Sequence, residues 1–143
     1  MTRMARLRRS PPLAALLAAL AVTGCNGGTV DKQALKHDAE TIGSLATEGE
    51  LLANDMSKGA STKYFARVQS DNLRREASNL ADALGSRPTA SGIEPEVRDA
   101  AKLAAQVSEQ LNRLHHHPVD RAVAKSVQHE LSDLSDEADK LAK

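Results

Sequence analysis

The apolar positions of this chain fall into four runs with helical spacing, separated by clusters of turn-forming residues. In the first run Leu35, Ile42, Leu45, Gly49, Leu52 and Met56 follow one another by seven, three, four, three and four residues, one stripe of a helix expected over 30–57. Gly59 stands where a left-handed C-terminal cap belongs, and Ser61 or Thr62 is suited to cap the next helix. That second helix, expected over 62–84, directs Phe65, Val68, Leu73, Ala77, Leu80 and Leu84 inward and has Gly85 just past its end. Its stripe drifts between Val68 and Leu73. The run Ser86-Arg87-Pro88-Thr89-Ala90-Ser91-Gly92 then reads as the longest loop.

A third helix begins near Glu94, with Pro95 in the first turn, where a missing N–H costs nothing, and Glu96 facing the positive end of the helix dipole. Ile93, Val97, Ala100, Ala104, Val107, Leu111 and Leu114 make the most regular stripe in the chain. Pro118 disfavours helical geometry at His117 and marks a turn before a fourth helix over 118–142, whose stripe is Val119, Val123, Val127, Leu131, Leu134, Ala138 and Leu141. Four amphipathic helices with short connections predict an all-α antiparallel up-down four-helix bundle, about 35 to 40 Å long. The alternative is a three-helix arrangement in which helices 3 and 4 merge into one bent helix.

Composition narrows the core. The only aromatic residues are Tyr64 and Phe65, and there is no Trp, so Ala, Leu and Val must fill nearly all of the interior. The one cysteine, Cys25, staples nothing, which leaves close helix packing over small alanines as the source of stability.

The first 24 residues have a separate logic. Arg3, Arg6, Arg8 and Arg9 form a basic start, and Leu13 to Val22 is an uninterrupted run of Leu, Ala and Val. That run is too short to span a bilayer, which needs about 20 apolar residues, and it suits the apolar region of a secretory signal. Val22-Thr23-Gly24-Cys25 then places an aliphatic residue, a small polar one and a glycine before the lone cysteine. This segment resembles the signal and lipobox of bacterial lipoproteins. The resemblance implies cleavage between Gly24 and Cys25, and a diacylglyceryl group on the Cys25 thiol with further acylation such as palmitate. It also implies a location in the cell envelope, lipid-anchored on the extracytoplasmic side of a bacterial membrane. Asn26 departs from the Asp that resembles an inner-membrane retention signal, which favours an outer membrane where there is one. Residues 1–24 are then a cleaved signal, 25–29 the lipidated cysteine with a short tether, and 30–143 the helical domain.

Removing the signal changes the charge. All 19 acidic residues stay while four of the 19 basic ones leave, so 15 basic residues face 19 acidic ones and the formal charge is −4. A modestly acidic surface without a basic cluster argues against a dedicated nucleic-acid binder and against electrostatic adhesion to anionic lipid headgroups. The membrane contact expected is the N-terminal lipid alone.

The conspicuous polar cluster is His115-His116-His117, three imidazoles of the kind that bind zinc, copper or nickel. Consecutive residues diverge around a helix, however, and His37 and His129 belong too far along the bundle to complete a ligand shell. The cluster also suits a helix end, where imidazolium complements the dipole. Glu-x-x-His pairs of di-iron bundles, a Cys-x-x-Cys-His haem site, a Gly-x-Ser-x-Gly elbow and a phosphate-binding loop have no counterpart here. No cofactor, resident metal or catalytic residue is therefore expected, and the chain is read as a non-enzyme. The function expected is a helical interaction module for a protein partner or for a second copy of itself. The alternative is an extracytoplasmic small-ligand or metal-binding protein using the His115–His117 turn.

Overall fold

A computed structural model describes residues 28–143. The expected signal peptide, the expected Gly24–Cys25 cleavage point and the expected lipidation of Cys25 fall on residues outside the described ones. The chain forms four helices, α1 (Lys32–Lys58), α2 (Lys63–Ser86), α3 (Glu94–His116) and α4 (Arg121–Leu141). They pack as an antiparallel up-down four-helix bundle, and the turn at Pro118 keeps α3 and α4 separate. With 27 residues, α1 is about 40 Å long.

Each boundary has a local cause. Asp31 caps α1 by accepting a hydrogen bond from the Ala34 amide at 2.8 Å, and Gly59, at φ 71°, closes it in the left-handed conformation that favours glycine. Thr62 caps α2 through the Phe65 amide at 3.2 Å. The second helix runs past the expected stop at Gly85 and ends at Ser86. Gly85 is tolerated inside the last turn, whereas Pro88 holds Arg87 extended at φ −74°, ψ 143°. Pro118 also takes the residue before it out of the helix, with His117 at φ −122°, ψ 54°, and the Asp120 amide closes the turn onto the His117 carbonyl at 3.1 Å. The fourth helix therefore starts at Arg121, not at 118. Asp120 is its cap, with amides of Ala122 and Val123 donating at 2.9 and 3.1 Å.

The stripes of α1 and α3 are buried as their spacing predicts. Two others shift. On α2 the core face is Ala66, Ser70, Leu73, Ala77 and Leu84, while Phe65 and Val68 point to solvent. Ser70 is accommodated because its hydroxyl donates to the Ala66 carbonyl at 2.6 Å. On α4 the first buried position is Ala124, and Val119 in the preceding turn is exposed.

The helices pair unequally. The closest interfaces join α1 to α4 and α2 to α3, α1 also touches α3 across the centre, and α2 and α4 stay apart. Exchanging α1 with α3 and α2 with α4 maps the two close interfaces onto each other, a two-fold pseudo-symmetry. Small residues make the close approach possible: a Cβ on Gly43 would lie 3.5 Å from that of Ala138, and the Thr47 and Ser135 hydroxyls meet at 3.0 Å across the same seam. At the centre, Leu111 and Leu131 fill the space over Gly49.

The segment just before α1 is clamped to the α2–α3 loop. Val30 is fully buried, its amide donates to the Pro88 carbonyl at 2.7 Å, and its carbonyl accepts from the Ala90 amide at 2.9 Å. Beside it, Arg87 pairs with Asp38 of α1, and the Arg87 Nε is buried without a partner. Removing one member of a largely buried pair strands the other charge. Asp38→Ala is expected to cost about 2 kcal/mol in urea unfolding. Asp38→Ala combined with Arg87→Met should recover about half of that, and a single variant as stable as the parent would show that the clamp contributes nothing.

Candidate functional site

The two ends of the bundle differ in chemistry. One end, here the loop end, carries the α1–α2 and α3–α4 turns. The other carries the α2–α3 loop and both described termini. The large apolar side chains that remain exposed are Leu51, Tyr64, Phe65, Val68 and Val119, all in the half of the bundle at the loop end. Both aromatic residues of the chain are among them, Tyr64 at 80% exposure and Phe65 at 55%. They lie in the first turn of α2, and Val68, four residues beyond Tyr64, extends the same outer face.

Helix geometry explains their exposure. The buried positions Ala66, Ser70, Leu73 and Ala77 step by four, three and four, so Tyr64 and Val68 fall on the side of α2 opposite the core. Burying Phe65 and Val68 would require turning α2 and exposing Leu73 and Leu84. Tyr64→Ser with Phe65→Ser should accordingly leave stability within about 0.5 kcal/mol of the parent, as is usual for surface substitutions. A loss of several kcal/mol in urea unfolding would mean that these rings belong to the core.

Charge follows the same polarity. Within about two helical turns of the loop end lie Lys58, Lys63, Arg67, Arg113, Arg121 and Lys125, against the carboxylates of Asp55, Glu109 and Asp120. Among the described residues no carboxylate is within ion-pair distance of Lys58, Lys63, Arg67, Arg121 or Lys125; Arg113 reaches Glu130 at 4.0 Å. Arg74 and Arg75, one turn further along α2, are committed to Asp71 at 2.7 and 2.6 Å. The Arg74 hydrogen bond holds the Asp71 carboxyl below its ordinary pKa. The opposite end is acidic on balance, with nine carboxylates, among them Glu94, Glu96 and Asp99 on α3 and Asp136, Glu137 and Asp139 on α4, against the six cations Lys32, Lys36, Arg87, Arg98, Lys140 and Lys143.

The histidine cluster also sits at the loop end. His115 and His116 stack edge to face with centroids 5.1 Å apart, and His115 Nδ1 is 3.2 Å from the Arg67 carbonyl oxygen of α2. His116 and His117 are exposed. Among the described residues no group of three or more His, Cys, Asp or Glu side chains is arranged to hold a metal ion, so the three imidazoles are adjacent without converging. His129 lies apart from them in a shallow groove between α1 and α4, beside Glu50, Lys125 and Gln128.

The basic end is invisible in a linear reading, because its six cations are spread from position 58 to position 125 and are gathered only by the up-down topology. Searches for relatives find no family model, no curated protein and no solved structure that matches this chain.

Proposed function

We propose that the chain is a membrane-anchored envelope lipoprotein whose bundle is a non-enzymatic interaction module for a protein partner. The observation that carries the partner-binding part is the exposed apolar patch at the loop end, which holds the only aromatic residues of the chain. Aromatic side chains are the usual anchors of protein interfaces, and leaving both in water while Ala and Leu fill the core is costly unless something covers them.

The anchoring part rests on Val22-Thr23-Gly24-Cys25. Among the described residues no helix is long and apolar enough to cross a membrane, and in this reading attachment belongs to the acyl chains on Cys25. With Val30 clamped, four residues, 26–29, separate it from Cys25, a stretch that can span at most about 15 Å. The acidic end then stays close to the bilayer.

The test is position-specific photo-crosslinking of the full chain in living cells. A photoreactive residue at position 64 should give one discrete crosslinked protein species, and the same residue at position 96, on the acidic end, should not. Equal yields from both positions, or none from position 64, would sink the reading.

A further inference from the structure

We infer that the loop end docks an acidic protein segment bearing an apolar anchor, an inference that rests on the interaction-module reading and specifies the chemistry of its partner. Two independent properties coincide there. Tyr64, Phe65 and Val68 on α2 and Val119 in the α3–α4 turn supply apolar area; Lys63 and Arg67 flank it on α2, Lys58, Arg121 and Lys125 line the α1–α4 side of the same end, and none of these cations has a carboxylate partner among the described residues. An apolar centre with a charged rim of one sign selects a partner of the opposite sign and raises its association rate.

A second copy of this chain fits poorly in either arrangement. Joining two loop ends about a two-fold axis would match the apolar patches but bring the basic rims together. Joining a loop end to the opposite end would match charge with Glu94, Glu96, Asp136 and Asp139 but set Tyr64 and Phe65 against a surface that offers no exposed large apolar side chain among the described residues. The complementary surface must be acidic and apolar at once, and among the described residues the bundle offers for this only the single exposed Leu51 beside Glu48 and Asp55 on α1, too little apolar area to cover the patch. The Arg121 guanidinium lies over the Gly59 cap at this end, where a Cβ on the glycine would be 2.6 Å from its Nη2.

The experiment uses the full chain on phosphatidylcholine vesicles, with protein-free vesicles as baseline, and a synthetic fluorescent helical peptide with Glu on one face and Leu and Phe on the other. Anisotropy should report binding that weakens as salt rises from about 50 to about 300 mM. Binding should fall by about tenfold or more when the peptide Glu residues become Gln, when Lys63→Glu, Arg67→Glu and Arg121→Glu are combined, or when Tyr64→Ser and Phe65→Ser are combined. Reversal at the other end, Arg98→Glu with Lys140→Glu, should change nothing. Equal binding of the Gln peptide, equal loss from the control reversal, or binding to phosphatidylglycerol vesicles in place of the peptide would each overturn the proposal. If the peptide fails while position 64 still crosslinks a protein in cells, the acidic chemistry is wrong and the module survives; if both fail, both are wrong.

Discussion

Gly49→Val should be the most damaging single substitution in the centre of the bundle, destabilising it by about 3 kcal/mol. A Cβ at this position would lie 2.7 Å from Cδ2 of Leu111 and 2.9 Å from Cδ1 of Leu131, closer than such atoms approach. Both leucines are fully buried, so their methyl groups have no free volume into which to retreat. A β-branched side chain also brings two further carbons with a stiff χ1, and relief must come from moving α1 away from α3 and α4. The loss is a large part of the about 5–15 kcal/mol that stabilises a typical domain.

The same helix provides an internal control. Gly43 is also buried, but its Cβ would meet Ala138 at 3.5 Å and the Asp139 carboxylate at 3.6 Å, ordinary contact distances. Gly43→Ala should therefore gain most of the about 1 kcal/mol that alanine holds over glycine inside a helix. In Gly49→Ala the same gain is outweighed by overpacking, for a net loss of about 1 kcal/mol. Urea unfolding followed by circular dichroism reads all three. A Gly49→Val protein as stable as the parent would mean that the central packing is looser than these distances require.

The extent to which the sequence foretold this arrangement depended on how regular each stripe was. In α1 and α3 the three- and four-residue steps leave a single face to bury, so Ile42, Gly49, Val107 and Leu111 were assigned correctly. In α2 hydrophobicity and periodicity disagree. Phe65 and Val68 are more apolar than Ala66 and Ser70, yet only the latter pair continue the register of Leu73, Ala77 and Leu84. Weighing register over residue size would have exposed both aromatics at once, and with them the apolar half of the candidate site. Helix ends were legible where the cap carries a side-chain or glycine signal, as at Gly59 and Thr62, and misplaced where a later proline acts, as at Pro88. The basic end had no local signature, since no two of its cations are sequence neighbours. It follows from topology alone.

The second large effect is expected at Cys25. A thioether to diacylglycerol requires the cysteine sulfur, and the serine hydroxyl is neither as nucleophilic nor a substitute in that linkage. Cys25→Ser should remove acylation completely, in contrast to the graded losses expected at the loop end. Its consequence is spatial as well as chemical. If Cys25 is lipidated as proposed, residues 26–29 span at most about 15 Å and Val30 is clamped between Pro88 and Ala90, so the lipid would hold the acidic end near the membrane and leave the loop end, about 40 Å away, facing outward. Without the lipid the docking surface is intact but delocalised, so crosslinking from position 64 should fall while the bundle remains as stable as before.

The most direct measurement grows the parent and Cys25→Ser full-length chains in bacteria with an alkyne analogue of palmitate and reads label on the purified protein together with its mass. The account requires label on the parent, on a chain that begins at Cys25, and none on Cys25→Ser. An unlabelled parent, or equal label on both chains, would contradict it.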